Sequence, residues 1–481
     1  MPNARAVIKP SDAKAWSDCK RRVWLDNKAT LTMVPSQDPF EQLIINLGLE
    51  HETRLLDALS AKTTVKTASN KEDTQRLMAD KVPVIYQAHL MDESRQIIGK
   101  PDFLILDEKG HYQAADAKLS LNEKKKEIQI QLGVYRELLA NSLPAIVFLG
   151  NGEQALIGDE SESIASKFLT QMRTLLDETS EPAVRYSHST CKVCPYNSHC
   201  KPAFEAHDEL SLLYGVPGRA ADALENIGIH TITQLANTDP DDIPDLPYLK
   251  GTTSKQRAVL QAKAWLTGKQ YSLAPVVLPQ GQWIHFDIED NPLTETGQKH
   301  VYLWGFLIPA ESSETGQELF EYDWTDHNDD DEMGWHRFLD RIEQYRMRFP
   351  QLILAHYSFH EKSTISAYAS RYAMEGNETV RYLLGSDSPL FDLRRPIIDN
   401  LVLPLQGYGL KDICKHPALV NFQWQDDNSG SQWSVVQFNR FLSEANEDRR
   451  TQVKADILRY NRDDVTATLR LEQWLRATFS A

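Results

Sequence analysis

The chain has 481 residues, 41% of them hydrophobic and 25% charged, with 5 cysteines and a net charge of −16. No apolar run approaches the ~18 residues a membrane-crossing helix needs. The first residues lack a signal-like apolar core, and so few thiols make a poor disulfide framework, so a cytoplasmic, multidomain protein with no membrane partner is expected. The charge is uneven: residues 1–204 sum to −1 and the remainder to −15. That balance argues against an electrostatic nucleic-acid clamp spread over the second part, yet leaves room for clustered carboxylates.

Residues 38–61 follow a helical period opened by an Asp-Pro pair, and they carry His51. Three stretches of strand composition come next, 82–91, 96–108 and 111–120, the last two joined at Gly110. They hold Asp102 in GKPDFLI and Asp116 with Lys118 in ADAK; two residues apart on a strand, Asp116 and Lys118 project to one face. Helical period returns over 124–142, with Gln131 and Tyr135 one turn apart. A strand at 146–150 and a helix near 162–178 lead to CKVCPYNSHC (191–200), which holds three of the five cysteines.

Between 210 and 243, short helices are punctuated by Gly-x-Pro-Gly and Gly-Ile, with a further helix at 254–267. This reads either as a small helix–hairpin–helix-like module or as a compact helical linker. After a joint at 273–281, the strand WIHFDIED (283–290) places Asp287 and Glu289 on one face. DHNDDDE (326–332) reads as an acidic loop, and LILAHYSFHEKSTI (352–365) as a strand running into a helix that begins near Glu361. A last helix over 455–475 puts Tyr460 and Asp464 one turn apart, with Asp463 pointing about 100° away. No Walker-type phosphate loop occurs, so no ATP motor is expected. The expected fold class is α/β and multidomain, with domains at 1–204, 205–272 and 281–481.

Phosphodiester hydrolysis calls for a divalent ion that generates hydroxide and stabilises charge at phosphorus, and carboxylates on adjacent strands can hold one. Asp-x-Lys alone also describes a surface ion pair. The joint order is more specific: a helix with His51, Gly-x-Pro-Asp102, Asp116-x-Lys118, then a helix with Gln131-x3-Tyr135. It resembles the RecB-type branch of the PD-(D/E)XK nucleases. The resemblance implies a restriction-endonuclease-like α/β core, Mg2+ or Mn2+ on His51, Asp102 and Asp116, and Lys118 as catalytic lysine. Gln131 and Tyr135 would support the same site. Cys19 ahead of this core and Cys191, Cys194 and Cys200 behind it resemble the AddB-like and CRISPR-associated members. That likeness implies a [4Fe–4S] cluster, although four thiolates hold Zn equally well by count. Cys414 reads as a small buried hydrophobe.

Asp287, Glu289, Glu361 and Asp464 come from three elements, and four such acids can hold two divalent ions ~3.5–4 Å apart. With Tyr460, their spacing resembles the ribonuclease-H-like DEDD exonucleases that carry a tyrosine in the third motif. The four acids would then be metal ligands and Tyr460 would position water. Glu361 stands where the family usually offers an aspartate, and Asp463 is an alternative to Asp464. The whole chain looks like a bacterial family of RecB-like nucleases. That implies a DNA nuclease with a second, 3′-5′ exonuclease-like site, acting in repair, recombination or defence. Its partners would be DNA with single-stranded or free ends and a separate helicase. RNA as substrate, or a non-catalytic nucleic-acid scaffold, are the alternatives.

Overall fold

The structure, a computed structural model, describes residues 6–28, 39–294, 297–425 and 431–479. Asp38, half of the pair expected to open the first long helix, lies outside them. Two compact units make up the chain, Met1–Val184 with Glu295–Gly297, and Arg185–Thr294 with Gln298–Ala481. No described helix is long and apolar enough to cross a membrane.

The first unit is built on β1 (Val65–Thr67), β2 (Val84–Tyr86), β3 (Leu90–Asp92), β4 (Ile97–Gly99), β5 (Phe103–Leu106), β6 (Tyr112–Ala117), β7 (Ala145–Phe148) and β8 (Gln154–Ile157). Six of these form one sheet in the order β1-β2-β5-β6-β7-β8, while β3 and β4 pair by themselves. The strands expected at 82–91 and 96–108 are therefore each broken in two. Gln87 breaks the first with a left-handed φ of 55°. Pro101, which has no N–H for a ladder, follows β4 and breaks the second.

Strand β6 is buried along almost its whole length because both faces of the sheet are covered. Leu55, Leu56 and Leu59 of the helix Pro39–Ser60 pack on Val84, Phe103 and Ala115. Ile128, Leu132 and Tyr135 of the helix Lys126–Leu139 pack on Leu104, Ala114 and Val147. Asp116 alternates with Ala115, so it shares the Ala114 side. Gly133 lets the helix Glu160–Asp177 lie close, since a Cβ there would meet Ala165 Cβ at 2.9 Å.

The second unit opens with short helices, among them His188–Lys192, Asn197–Ala206, Gly218–Glu225 and Ile232–Ala236, followed by the longer Gly251–Thr267. That last helix is tied down by Gln261 Nε2, which donates to Leu403 O at 2.7 Å, and by Arg257, which donates to Leu401 O at 2.9 Å. These bonds join the helical stretch to the sheet-bearing part as one unit. After β9 (Tyr271–Ser272) come β10 (Gln282–Asn291), β11 (His300–Ile308), β12 (Leu319–Trp324), β13 (Leu352–His356) and β14 (Leu390–Asp392); β15 (Leu401–Val402) pairs with β9. The main sheet runs β12-β11-β10-β13-β14, antiparallel on one side of β10 and parallel on the other.

One irregularity, a β-bulge between Glu289 and Asp290, shifts the β10–β11 register. Phe286, Trp304, Phe306, Trp335 and Phe338 fill the core on one face of the sheet. The helix Glu447–Phe479 crosses β10 and β11, and Gly305, opposite Asp287, makes room for it. A Cβ on Gly305 would overlap the Asn461 carboxamide oxygen. The stretch expected as an acidic loop, 326–332, ends inside the first turn of the helix Asp331–Arg348. Asp331 is the reason: it binds His300 Nδ1 at 2.8 Å and Tyr372 Oη at 2.7 Å, and carboxylates are favoured at a helix N-terminus.

Candidate active sites

In the first unit the two aspartates clasp each other's strand. The Asp102 N–H donates to Asp116 Oδ1 at 3.0 Å, and the Ala117 N–H donates to Asp102 Oδ2 at 2.8 Å. Lys118 Nζ lies 2.9 Å from Asp116 Oδ2. That oxygen is buried, and beyond the ammonium it meets no other hydrogen-bond donor among the described residues. Burial, with the Asp116 charge beside it, pushes the Asp102 carboxyl up to about 8. Burial works against the charged form of Lys118, but Asp116 and Asp102 outweigh it and hold the ammonium above the usual lysine range.

Gln131 Nε2 donates to Tyr135 Oη at 2.9 Å, and Tyr135 Oη donates to Lys100 O at 3.1 Å. The pair thus pins the backbone two residues ahead of Asp102. His51 Nε2 sits 3.3 Å from Phe148 O, the carbonyl that also accepts the Lys118 N–H at 2.8 Å. His51 therefore borders the end of β7, and the contact it makes is with a backbone carbonyl. Sequence reasoning passed over its neighbour Glu52, which accepts from Gln87 Nε2 at 2.5 Å. The Glu52 charge also bears on both Asp102 and Lys118.

In the second unit, Asp287, Glu289 and Asp464 bring ligand oxygens within 4.8 Å of one another, the one such three-ligand group among the described residues. Asn461 Nδ2 donates to Asp287 Oδ2 at 3.0 Å and approaches Glu289 Oε1 at 3.4 Å. Ser434 Oγ donates to Glu289 Oε2 at 2.5 Å, and Trp424 Nε1 donates to Asp464 Oδ1 at 2.7 Å. Burial and the neighbouring acids push Asp287 well above the usual carboxyl range, burial and Asp464 push Glu289 up to about 8, and burial raises Asp464 as well. Three acids that resist ionisation together are a costly arrangement without a cation, and that donor set fits a hard divalent ion.

Tyr460 is buried, and burial, with the Asp464 charge one turn on, holds its hydroxyl protonated far above the usual tyrosine range. Glu361 is buried too, but its Oε2 lies 3.1 Å from His356 Nδ1 and it stands outside the close triad. Its charge still bears on Asp287. Asp463 turns away, accepting from Gln425 N at 2.8 Å and Gln425 Nε2 at 2.9 Å, so Asp464 is the residue that faces the acids. Lys411 was not foreseen: its Nζ lies 4.7 Å from the Tyr460 ring centre and 5.3 Å from that of Trp424. Burial lowers its proton affinity, while Asp464, Glu289 and Asp287 act to raise it.

Of the cysteines, Cys19 belongs to the first unit and Cys191, Cys194 and Cys200 to the second. Cys414 is fully buried, its Sγ 3.6 Å from Ala467 O, and burial raises its thiol.

Two carboxylate sites on two α/β sheets define a protein with nuclease-type domains. Residues 13–201 match the PD-(D/E)XK nuclease superfamily and residues 284–476 the RNase H superfamily, so the chain carries one domain of each. None of the curated proteins matches it. A solved structure titled "Crystal structure of SSO0001" aligns at 15% identity over 42% of this chain and 89% of its own, with a TM-score of 0.23. A likeness that loose carries no argument.

Proposed function

We propose that the protein is a metal-dependent DNA nuclease with two hydrolytic sites, the second trimming 3′ ends. The observation that carries this reading is the convergence of Asp287 and Glu289, two apart on β10, with Asp464 from the last helix onto a space one hard cation can fill. Bound Mg2+ or Mn2+ would supply a hydroxide at neutral pH and stabilise charge developing at phosphorus. Asp102 and Asp116 would hold it in the first domain; Asp287, Glu289 and Asp464, with Glu361 near Asp287, would hold it in the second.

The chain's own groups do the rest. Lys118 neutralises the scissile phosphate beside Asp116, while Gln131 and Tyr135 fix the backbone leading to Asp102, and His51 closes the side next to β7. In the second domain the Tyr460 hydroxyl, kept protonated and turned toward Asp464, orients the attacking water. Asn461, Ser434 and Trp424 hold the carboxylates in place through their hydrogen bonds.

DNA as substrate, a single-stranded or free end, a partner helicase and a place in repair, recombination or defence rest on the sequence resemblance. So does a thiolate-bound cluster on Cys19, Cys191, Cys194 and Cys200; an absorption band near ~400 nm in anaerobically purified protein would mark iron–sulfur, and a colourless preparation with bound Zn the alternative. The engagement of Glu361 by His356 favours a second reading of the second domain as a binding scaffold.

Incubation with labelled single- and double-stranded DNA and RNA, in Mn2+ or EDTA, tests the proposal. Metal-dependent DNA cleavage is expected, and Asp116→Ala and Asp287→Ala variants assign it to a domain. Cleavage of RNA alone, or of no polymer, would overturn it.

A further inference from the structure

We propose that the Lys411 ammonium is the other positive charge of the second site, meeting the scissile phosphate beside Asp464, so that a single divalent ion suffices there; the inference rests on the nuclease reading above. Lys411 belongs to a short helix, Leu410–Cys414, that is fixed against the helix Glu447–Phe479. Ile413 and Cys414 are buried in one core with Tyr460, Ala467 and Leu471. Cys414 Sγ lies 3.6 Å from the carbonyl oxygen of Ala467, three residues beyond Asp464.

The side chain of Lys411 turns toward the same place. Its Nζ lies 4.7 Å from the Tyr460 ring centre and 5.3 Å from that of Trp424. Both rings adjoin Asp464: Trp424 Nε1 donates to Asp464 Oδ1 at 2.7 Å, and Tyr460 precedes it by one turn of helix. A lysine stem is long enough to carry its charge out to water. This one instead folds over two rings, half-buried, where the loss of water works against its charge. Asp464, Glu289 and Asp287 act the other way, and among the described residues Lys411 is the one cation in the set of groups that bear most on those three carboxyls.

The ligand set agrees with one ion. Asp287, Glu289 and Asp464 share a single space, whereas the fourth acid, Glu361, has its Oε2 3.1 Å from His356 Nδ1 and stands outside. As water adds to phosphorus and the bond to the leaving 3′ oxygen breaks, negative charge grows on the non-bridging oxygens. The water's proton passes to solvent, and the leaving oxygen takes one up from it. An ammonium held over Tyr460 meets the growing charge and needs no ligands of its own. Lys415, one turn on, also lies over the Trp424 ring, 5.6 Å from its centre, and serves as the control.

The test takes the full chain carrying Asp116→Ala, which disables the first site, titrates it with Mn2+ by electron paramagnetic resonance, and assays trimming of single-stranded DNA. This parent should bind one Mn2+ per chain. Adding Lys411→Glu, which sets a carboxylate where the ammonium was, should raise that to two, with the spectrum of a coupled pair. Adding Lys411→Met should keep one ion, bind it more tightly because a repelling charge is gone, and lower kcat about 10²–10³-fold. Lys415→Met should match the parent in ion count and kcat. Two ions in the parent, one in Lys411→Glu, weaker Mn2+ binding or an unchanged kcat in Lys411→Met, or an equal loss in Lys415→Met would each overturn the proposal. One ion in the parent and two in Lys411→Glu, with no DNA cut by the parent, would instead uphold the place of the ammonium and sink the hydrolytic reading of the site.

Discussion

Gly305→Ala is the substitution that most directly tests how the second site is assembled. Gly305 faces Asp287 across the β10–β11 ladder, and the helix carrying Asn461 lies over it. A Cβ at this point overlaps the Asn461 carboxamide, which must then leave Asp287 and Glu289. Forced overpacking costs about 1–3 kcal/mol, and leaving buried acceptors without a donor costs about 1–3 kcal/mol more. For a domain in this size range each kcal/mol lowers the melting midpoint by about 2–4 °C. Melting and Mn2+-dependent end trimming are the two readouts, and both should fall. Asn461→Ala removes the clashing oxygen, so the double variant should lose less than the sum of the singles. Gly305→Ala melting and cleaving like the wild type, or strict additivity in the double variant, would refute the reasoning.

Three further outcomes are expected. A carboxyl whose pKa is raised in the fold stabilises it below the ordinary value and weakens it as pH climbs. With Asp102 lifted from 3.8 and Glu289 from 4.5, both to about 8, the chelated protein should lose thermal stability across that interval, and Mn2+ at the upper end should restore it; a flat chelated profile would contradict the burial of these acids. Lys118→Ala, assayed in an Asp287→Ala background, should lower cleavage by the first domain about 10²–10³-fold, whereas an unchanged rate would make Lys118 a bystander. Tyr460→Phe should lower kcat of end trimming about 10²-fold with KM held, and equal rates would show that the hydroxyl is idle.

What the sequence disclosed and what it hid follow from spacing. Asp116 and Lys118, like Asp287 and Glu289, sit two apart at a strand period that announces a shared face, and Tyr460 and Asp464 sit one helical turn apart. Alternation and periodicity are local, so they are legible in a string of letters. Trp424, Ser434 and Asn461 reach the acids only through the tertiary fold and belong to no motif. Lys411 has the same obscurity, although the acid cluster it faces could have prompted a search for a counter-charge. Glu52 stood one residue from His51 yet was masked by it. The choice between Asp463 and Asp464 turned on helix phase and on Gln425, which captures the first of them. The breaks in the strands at Gln87 and Pro101 were half visible: proline advertises itself, whereas a glutamine with φ of 55° does not.

Strand alternation makes consecutive acids serve different neighbours, Glu289 beside Asp464 and Asp290 against His360, and the register shift beside them is taken up by one extra residue of β11, Tyr302. What is constrained there is the length of the chain more than the identity of any letter. Losing Tyr302 from β11 would leave every acid in the gene yet turn Val301 and His300 to the opposite faces of that strand, taking His300 away from Asp331.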